Sequence, residues 1–142
     1  MSQAIAGYVM AFDFGLRHIG VALGQSITGT ARGIATLKAN NGKPDWRMVQ
    51  KLLQEYAPEH LVVGWPLNMD DSVSDMAERA EAFASTLGKR SGMAVHLHDE
   101  RLSSREAKAS FEHAKRMGQA SSEHELAACL ILAGWLEASS QS

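Results

Sequence analysis

The sequence predicts a single α/β domain: a five-stranded mixed sheet with helices on both faces. Three observations predict it. Apolar residues in the first third of the chain fall into three segments joined by short connections, as in an antiparallel meander. From Pro44 onward the spacing switches to helical periods that alternate with short strand-like runs. The chain has 142 residues, 45% hydrophobic and 21% charged, the size and balance of one globular core.

Ile5 to Phe12 is nearly all apolar, as expected of a central strand covered on both faces. Arg17 to Leu23 places Ile19, Val21 and Leu23 on one face, and Thr30 to Leu37 carries Ala31, Ile34, Ala35 and Leu37. Asn40-Asn41-Gly42 supplies turn chemistry, after which Pro44 and Asp45 open a helix. Val49, Leu52, Leu53 and Tyr56 give that helix one apolar stripe, and Pro58 ends it. Leu61 to Gly64 is a buried strand that must run parallel to a neighbour, because a helix precedes it. A polar loop through Asn68, Asp70 and Asp71 leads to a second helix bearing Met76, Ala80, Phe83 and Leu87, closed by Gly92. Ala94 to His98 is the fifth strand. Helices follow over about Ser103 to Met117 and about Glu123 to Ala138, separated by a polar break at 118–122. The order βββαβαβαα is that of the RNase H-like fold. One domain, 1–142, is expected, with 1–4 and 139–142 frayed.

Several functional classes are excluded or disfavoured. Cys129 is the only cysteine, so no intrachain disulfide forms, and its apolar neighbours mark it as a small buried hydrophobe. No run approaches the ~20 apolar residues that span a bilayer, and no basic segment precedes the first strand; the cytoplasm is the expected location. A formal charge of −2 and a pI near 6.3 are unlike a domain that lives on phosphate contacts alone. A nuclease, however, concentrates acids at its metal site, and those offset basic residues elsewhere.

Asp13 ends an apolar strand in Ala11-Phe12-Asp13-Phe14-Gly15. A carboxylate in such a run costs several kcal/mol unless paired or bound to a metal. The alternative is a turn aspartate, with Gly15 and Gly20 serving only the hairpin. Glu100 directly follows the fifth strand, in His98-Asp99-Glu100-Arg101-Leu102-Ser103. Ligands in open α/β sheets gather at the carboxyl ends of the parallel strands, so the fold brings Asp13 and Glu100 together. Two hard oxygen donors there suit Mg²⁺ or Mn²⁺. The alternative is capping of the next helix by Asp99 or Ser103, which is compatible with a role for Glu100.

The segments Ala11-Phe12-Asp13-Phe14-Gly15, Ile19-Gly20-Val21-Ala22, Val63-Gly64-Trp65-Pro66-Leu67-Asn68, Asp99-Glu100-Arg101-Leu102-Ser103 and Ala127-Ala128 with Leu130-Ile131-Leu132 together resemble the YqgF (RuvX) family. They fall in family order from about Gly7 to Glu137. The resemblance implies a metal-dependent RNase H-like nuclease related to Holliday junction resolvases, acting in 5′-end processing of pre-16S rRNA or in junction resolution. It makes Asp13 and Glu100 the first two acidic positions of a two-metal site, and it places the third at His124, where family members usually carry Asp. Neutral imidazole ligates Mn²⁺ or Zn²⁺ but is a poorer partner for Mg²⁺ than a carboxylate. Three readings stand: His124 is a ligand or positions the attacking water; Glu123 or Glu125 reaches in; or the site is impaired and the protein binds without cutting.

Arg17, Arg101 and Arg105 are candidate phosphate contacts, with Lys108, Lys115 and Arg116 beyond them; a solvated helix face is the alternative. Trp65 either stacks on a base or covers the core edge, and His96 and His98 share one strand face, where packing or exposure outweighs a metal role. A homodimer would suit a symmetric junction, and precursor ribosomes are a possible partner. The rival enzyme class, the actin and sugar-kinase ATPases, shares the Asp13-Phe14-Gly15 loop style but needs two such domains, and this chain supplies one.

Overall fold

The computed structural model describes residues 7–25, 30–100, 109, 112–113, 116–117 and 122–140. Its strands are β1 (Val9–Asp13), β2 (His18–Gln25), β3 (Thr30–Asn40), β4 (Lys43–Pro44), β5 (His60–Trp65) and β6 (Val95–Asp99). The helices are α1 (Trp46–Tyr56), α2 (Asp75–Ser91) and α3 (Glu123–Ser140). The helix expected over 103–117 lies almost wholly outside the described residues, as do residues 5–6 of the expected first strand and the terminus before them.

The sheet runs in the order β4-β3-β2-β1-β5-β6. Strand β1 is central, antiparallel to β2 and parallel to β5, and β6 adds parallel to β5. This is the mixed α/β sheet expected, with one strand more. The sixth is short. Asn41 and Gly42 both adopt positive φ, 52° and 83°, the twist that a two-residue hairpin turn requires. The turn folds the chain back far enough to pair Ala39 with Pro44 and Asn40 with Lys43. Pro44 therefore sits in an edge strand rather than in the first turn of α1, and the Asp45 side chain caps that helix by accepting from the Arg47 backbone N–H at 3.0 Å.

Alternation along β1 divides the core in two. Met10 and Phe12 join Ile19, Val21, Leu61, Val63, Phe83 and Leu87 beneath α1 and α2. Val9 and Ala11 join Ala22, Val62, Ala128, Cys129, Ile131 and Leu132 beneath α3. Helix α3 can lie this close because glycines floor the sheet under it. A Cβ on Gly20 would collide with the His124 carbonyl, one on Gly33 would stand 2.5 Å from Glu125 Cβ, and one on Gly64 would stand 2.5 Å from Ile131 Cδ1. Cys129 is the buried hydrophobe expected, its thiol pushed up to about 12, first by burial and then by the charge of Glu125. Among the described residues no helix is long and apolar enough to cross a membrane.

Candidate active site

Strand period fixes where the first acid points. Asp13 follows Val9 and Ala11 on the α3 face of β1. Burial pushes its carboxyl up from the ordinary 3.8 to about 6, and no cation among the described residues pulls it back. The ladder pairs Phe12 with Val63, so Gly64 of β5 lies beside Asp13, and the absent side chain at Gly64 leaves room. Glu100 occupies that room: its Oε1 stands 2.5 Å from where a Gly64 Cβ would be. Its carboxyl is pushed up to about 7, mainly by burial, then by the charges of Asp13 and Asp99. Asp13 and Glu100, far apart in sequence, thus meet at the carboxyl edge of the parallel strands.

His124 arrives from the other side. Asp13 is paired across the ladder with Gly20, and the His124 carbonyl packs on Gly20, so the first turn of α3 lies against the strand next to Asp13. The imidazole itself stacks on His18, with ring centroids 4.8 Å apart and planes 22° apart. Among the described residues no three His, Cys, Asp or Glu side chains form a ready metal cluster. Glu123 is exposed. Glu125 is only 5% exposed and faces β3, accepting from Thr36 Oγ1 at 3.2 Å.

That contact belongs to a cluster the sequence reading passed over. Ser122 caps α3: its Oγ accepts from the Glu125 N–H at 3.1 Å and lies 2.6 Å from Thr36 Oγ1. Ser122-Glu123-His124-Glu125 has the S-x-x-E spacing of a capping box, which was the available signal. Here the glutamate reaches across to Thr36 on β3, tying the helix start, and with it His124, to the sheet.

The remaining candidates separate. Arg17 is exposed in the first hairpin, where its carbonyl accepts from the Ala39 N–H at 2.8 Å. Arg101 and Arg105 lie outside the described residues. His96 and His98 do share a face: His96 packs on the Trp135 ring at 5.2 Å, while His98 is 4% exposed against Gly134. Burial lowers the His98 pKa, against the opposing charge of Asp99, and its Nε2 has no hydrogen-bond partner among the described residues. Trp65 is half-buried with its Nε1 likewise unsatisfied, and Asp70 serves the loop by accepting from the Ser72 N–H at 3.0 Å.

The pair fits a divalent cation. Two half-buried carboxyls of like charge, both raised chiefly by burial and near enough for the charge of Asp13 to raise Glu100, are a hard oxygen donor set whose ionised form a cation stabilises.

A family model described as "RuvX: Holliday junction resolvase" matches residues 7–138. A Pseudomonas putida protein named as a candidate pre-16S rRNA nuclease is 51% identical over 135 residues, covering 92% of this chain and 94% of its own. One from Azotobacter vinelandii with the same name is 51% identical over 130 residues, covering 90% and 92%. Among solved structures, Thermus thermophilus RuvC in complex with a Holliday junction substrate superposes with a TM-score of 0.64 at 16% identity, covering 94% of this chain and 95% of that one. The yeast mitochondrial Holliday junction resolvase Ydc2 gives 0.53 at 11%, covering 94% and 79%. These two show a shared RNase H-like fold. With the family match spanning nearly the whole chain and curated relatives half identical to it, the chain belongs to the RuvX family.

Proposed function

We propose that this protein is a metal-dependent nuclease that hydrolyses nucleic-acid phosphodiesters, acting in the cytoplasm in 5′-end processing of pre-16S rRNA. The observation that carries the reading is the Asp13–Glu100 pair at the carboxyl edge of the sheet, two carboxyls raised by burial, Glu100 further by the charge of Asp13. The names of relatives at about half identity favour precursor rRNA over a four-way junction, since the likeness to junction resolvases lies at 16% identity or below. Asp13 and Glu100 would hold Mg²⁺ or Mn²⁺. When bound there, the metal supplies Lewis-acid activation of the attacking water and neutralises charge at the scissile phosphate, as paired ions do in two-metal nucleases. The chain's own part is to hold both carboxyls at one edge of the sheet, where burial makes their ionised forms depend on the cation, and to present His124 beside them as a third ligand or as the group orienting the attacking water.

A second reading, a binding or ribosome-assembly factor that does not cut, is favoured by one observation: the His124 ring stacks on His18. One experiment tests both. Precursor 16S rRNA, duplex DNA and a four-way DNA junction are incubated with protein in Mg²⁺ and in Mn²⁺. Cleavage of the precursor that Asp13→Asn abolishes supports the nuclease. Binding without cleavage, with cleavage gained in His124→Asp, supports the second reading.

A further inference from the structure

On the face of the sheet opposite α3, the β3–β4 hairpin, the start of α1 and the outer side of α2 enclose an open groove of about 620 Å³. Its floor is aromatic. Phe83 packs on Phe14 at 5.4 Å and stacks on Trp46 at 5.5 Å. Its rim is cationic: Lys43, Arg79 and Arg90 line it, and among the described residues no acidic side chain does. For a chain of net charge −2 this is a local inversion of sign.

Two of the cations are held ready. The Arg90 guanidinium lies 4.8 Å above the Trp46 ring, a placement that fixes the head group while leaving its N–H donors free at the edge. Arg79 is steered from Nε by Asp75 at 3.2 Å and from Nη1 by Asn41 at 3.5 Å, which leaves part of its donor fork unused. Lys43 and Arg90 have no carboxylate partner among the described residues. Phe14 directly follows Asp13 in the chain and turns to the opposite face, so the groove and the candidate active site lie on the two faces of the sheet at the same carboxyl end of β1.

We propose that this groove binds the phosphodiester backbone of the substrate strand as it leaves the active site, with Lys43, Arg79 and Arg90 as the phosphate contacts. Two guanidinium groups oriented at an aromatic floor, with Lys43 and Arg90 free of carboxylate partners among the described residues, match a polyanionic strand, and neither the apolar floor nor the charged rim alone would. The assignment rests on the nuclease reading above.

The test separates the two. Asp13→Asn protein, which holds substrate without cutting it, is titrated against a fluorescent single-stranded RNA, an RNA hairpin and a four-way DNA junction, each over a range of salt. In that background Lys43→Gln with Arg90→Gln is expected to weaken binding about tenfold or more at low salt. It should also flatten the slope of log affinity against log salt by about 1.5, since each lost phosphate contact removes about 0.7 to 0.9. Lys51→Gln with Lys89→Gln, exposed and outside the groove, is expected to leave the slope nearly unchanged. The arms that weaken identify the strand, RNA or DNA. If the groove pair behaves like the control pair while the parent still binds, the groove assignment falls and the nuclease stands. If the groove pair changes sedimentation mass and not the salt slope, the face belongs to a second copy of this chain and the assignment falls. If the parent binds none of the three probes, both readings fall.

Discussion

Replacing Asp13 with asparagine should make the metal-free protein more stable and useless as an enzyme. A carboxyl whose folded-state pKa is raised holds its proton more tightly when folded, so ionisation works against the fold. The penalty is absent below about pH 4, grows as pH rises towards about 6, and is complete above that. The interval from 3.8 to about 6 corresponds to about 3 kcal/mol, at about 1.4 kcal/mol per pH unit. Asparagine is nearly isosteric and carries no charge to desolvate. At pH 8 in EDTA, Asp13→Asn should therefore melt roughly 10 °C above the parent, at about 3 °C per kcal/mol for a domain of this length. At pH 4 the two should melt together. Adding Mg²⁺ at a hundred times its Kd should return about 2.7 kcal/mol to the parent and nothing to the variant. Calorimetry at the two pH values reads all of this. An Asp13→Asn protein less stable than the parent at pH 8 without metal would show that Asp13 is already compensated within the fold, and the argument for a cation there would fail.

Further outcomes follow from the same geometry. Gly64→Ala places a methyl 2.5 Å from both Glu100 Oε1 and Ile131 Cδ1, so it should cost about 1–3 kcal/mol by overpacking and abolish metal-dependent stabilisation in a melting assay. Because Glu100 stays protonated to about pH 7, the melting shift caused by Mg²⁺ should be small at pH 5.5 and full at pH 8, a trend that Glu100→Gln flattens. Ser122→Ala removes the cap of α3 and should cost about 1 kcal/mol in urea unfolding. Thr36→Val strips a donor from the buried Glu125 and should cost about 1–3 kcal/mol, with cleavage falling through kcat as His124 loses its anchor.

The parts of this design readable from sequence were those set by short-range rules. Period-two alternation put Asp13 on one face, βα connection made β5 and β6 parallel, and the carboxyl-edge rule then brought Asp13 and Glu100 together. What resisted reading depends on contacts between elements. The extra strand β4 hangs on two residue pairs beyond an Asn-Gly turn, too little to leave a hydrophobic period. The stacking of His124 on His18, and the turn of Glu125 towards Thr36 rather than the acids, follow from how deeply α3 settles on Gly20 and Gly33. A helix's rotation about its own axis is fixed by packing, and pattern alone does not report it. The basic residues expected after Glu100, Arg101 and Arg105, lie outside the described residues, while Lys43, Arg79 and Arg90 line a groove that no linear motif announces.

The lone thiol of Cys129 sits inside the α3 layer, packed with Ala128, Ile131 and Leu132. A sulfhydryl that is both shielded and held near 12 scarcely forms thiolate at neutral pH, so alkylating and disulfide reagents meet it only when α3 lifts from the sheet. Since the same helix carries His124 five residues earlier, the rate of Cys129 modification is a native clock for detachment of the helix that walls the candidate site, readable without adding any label site.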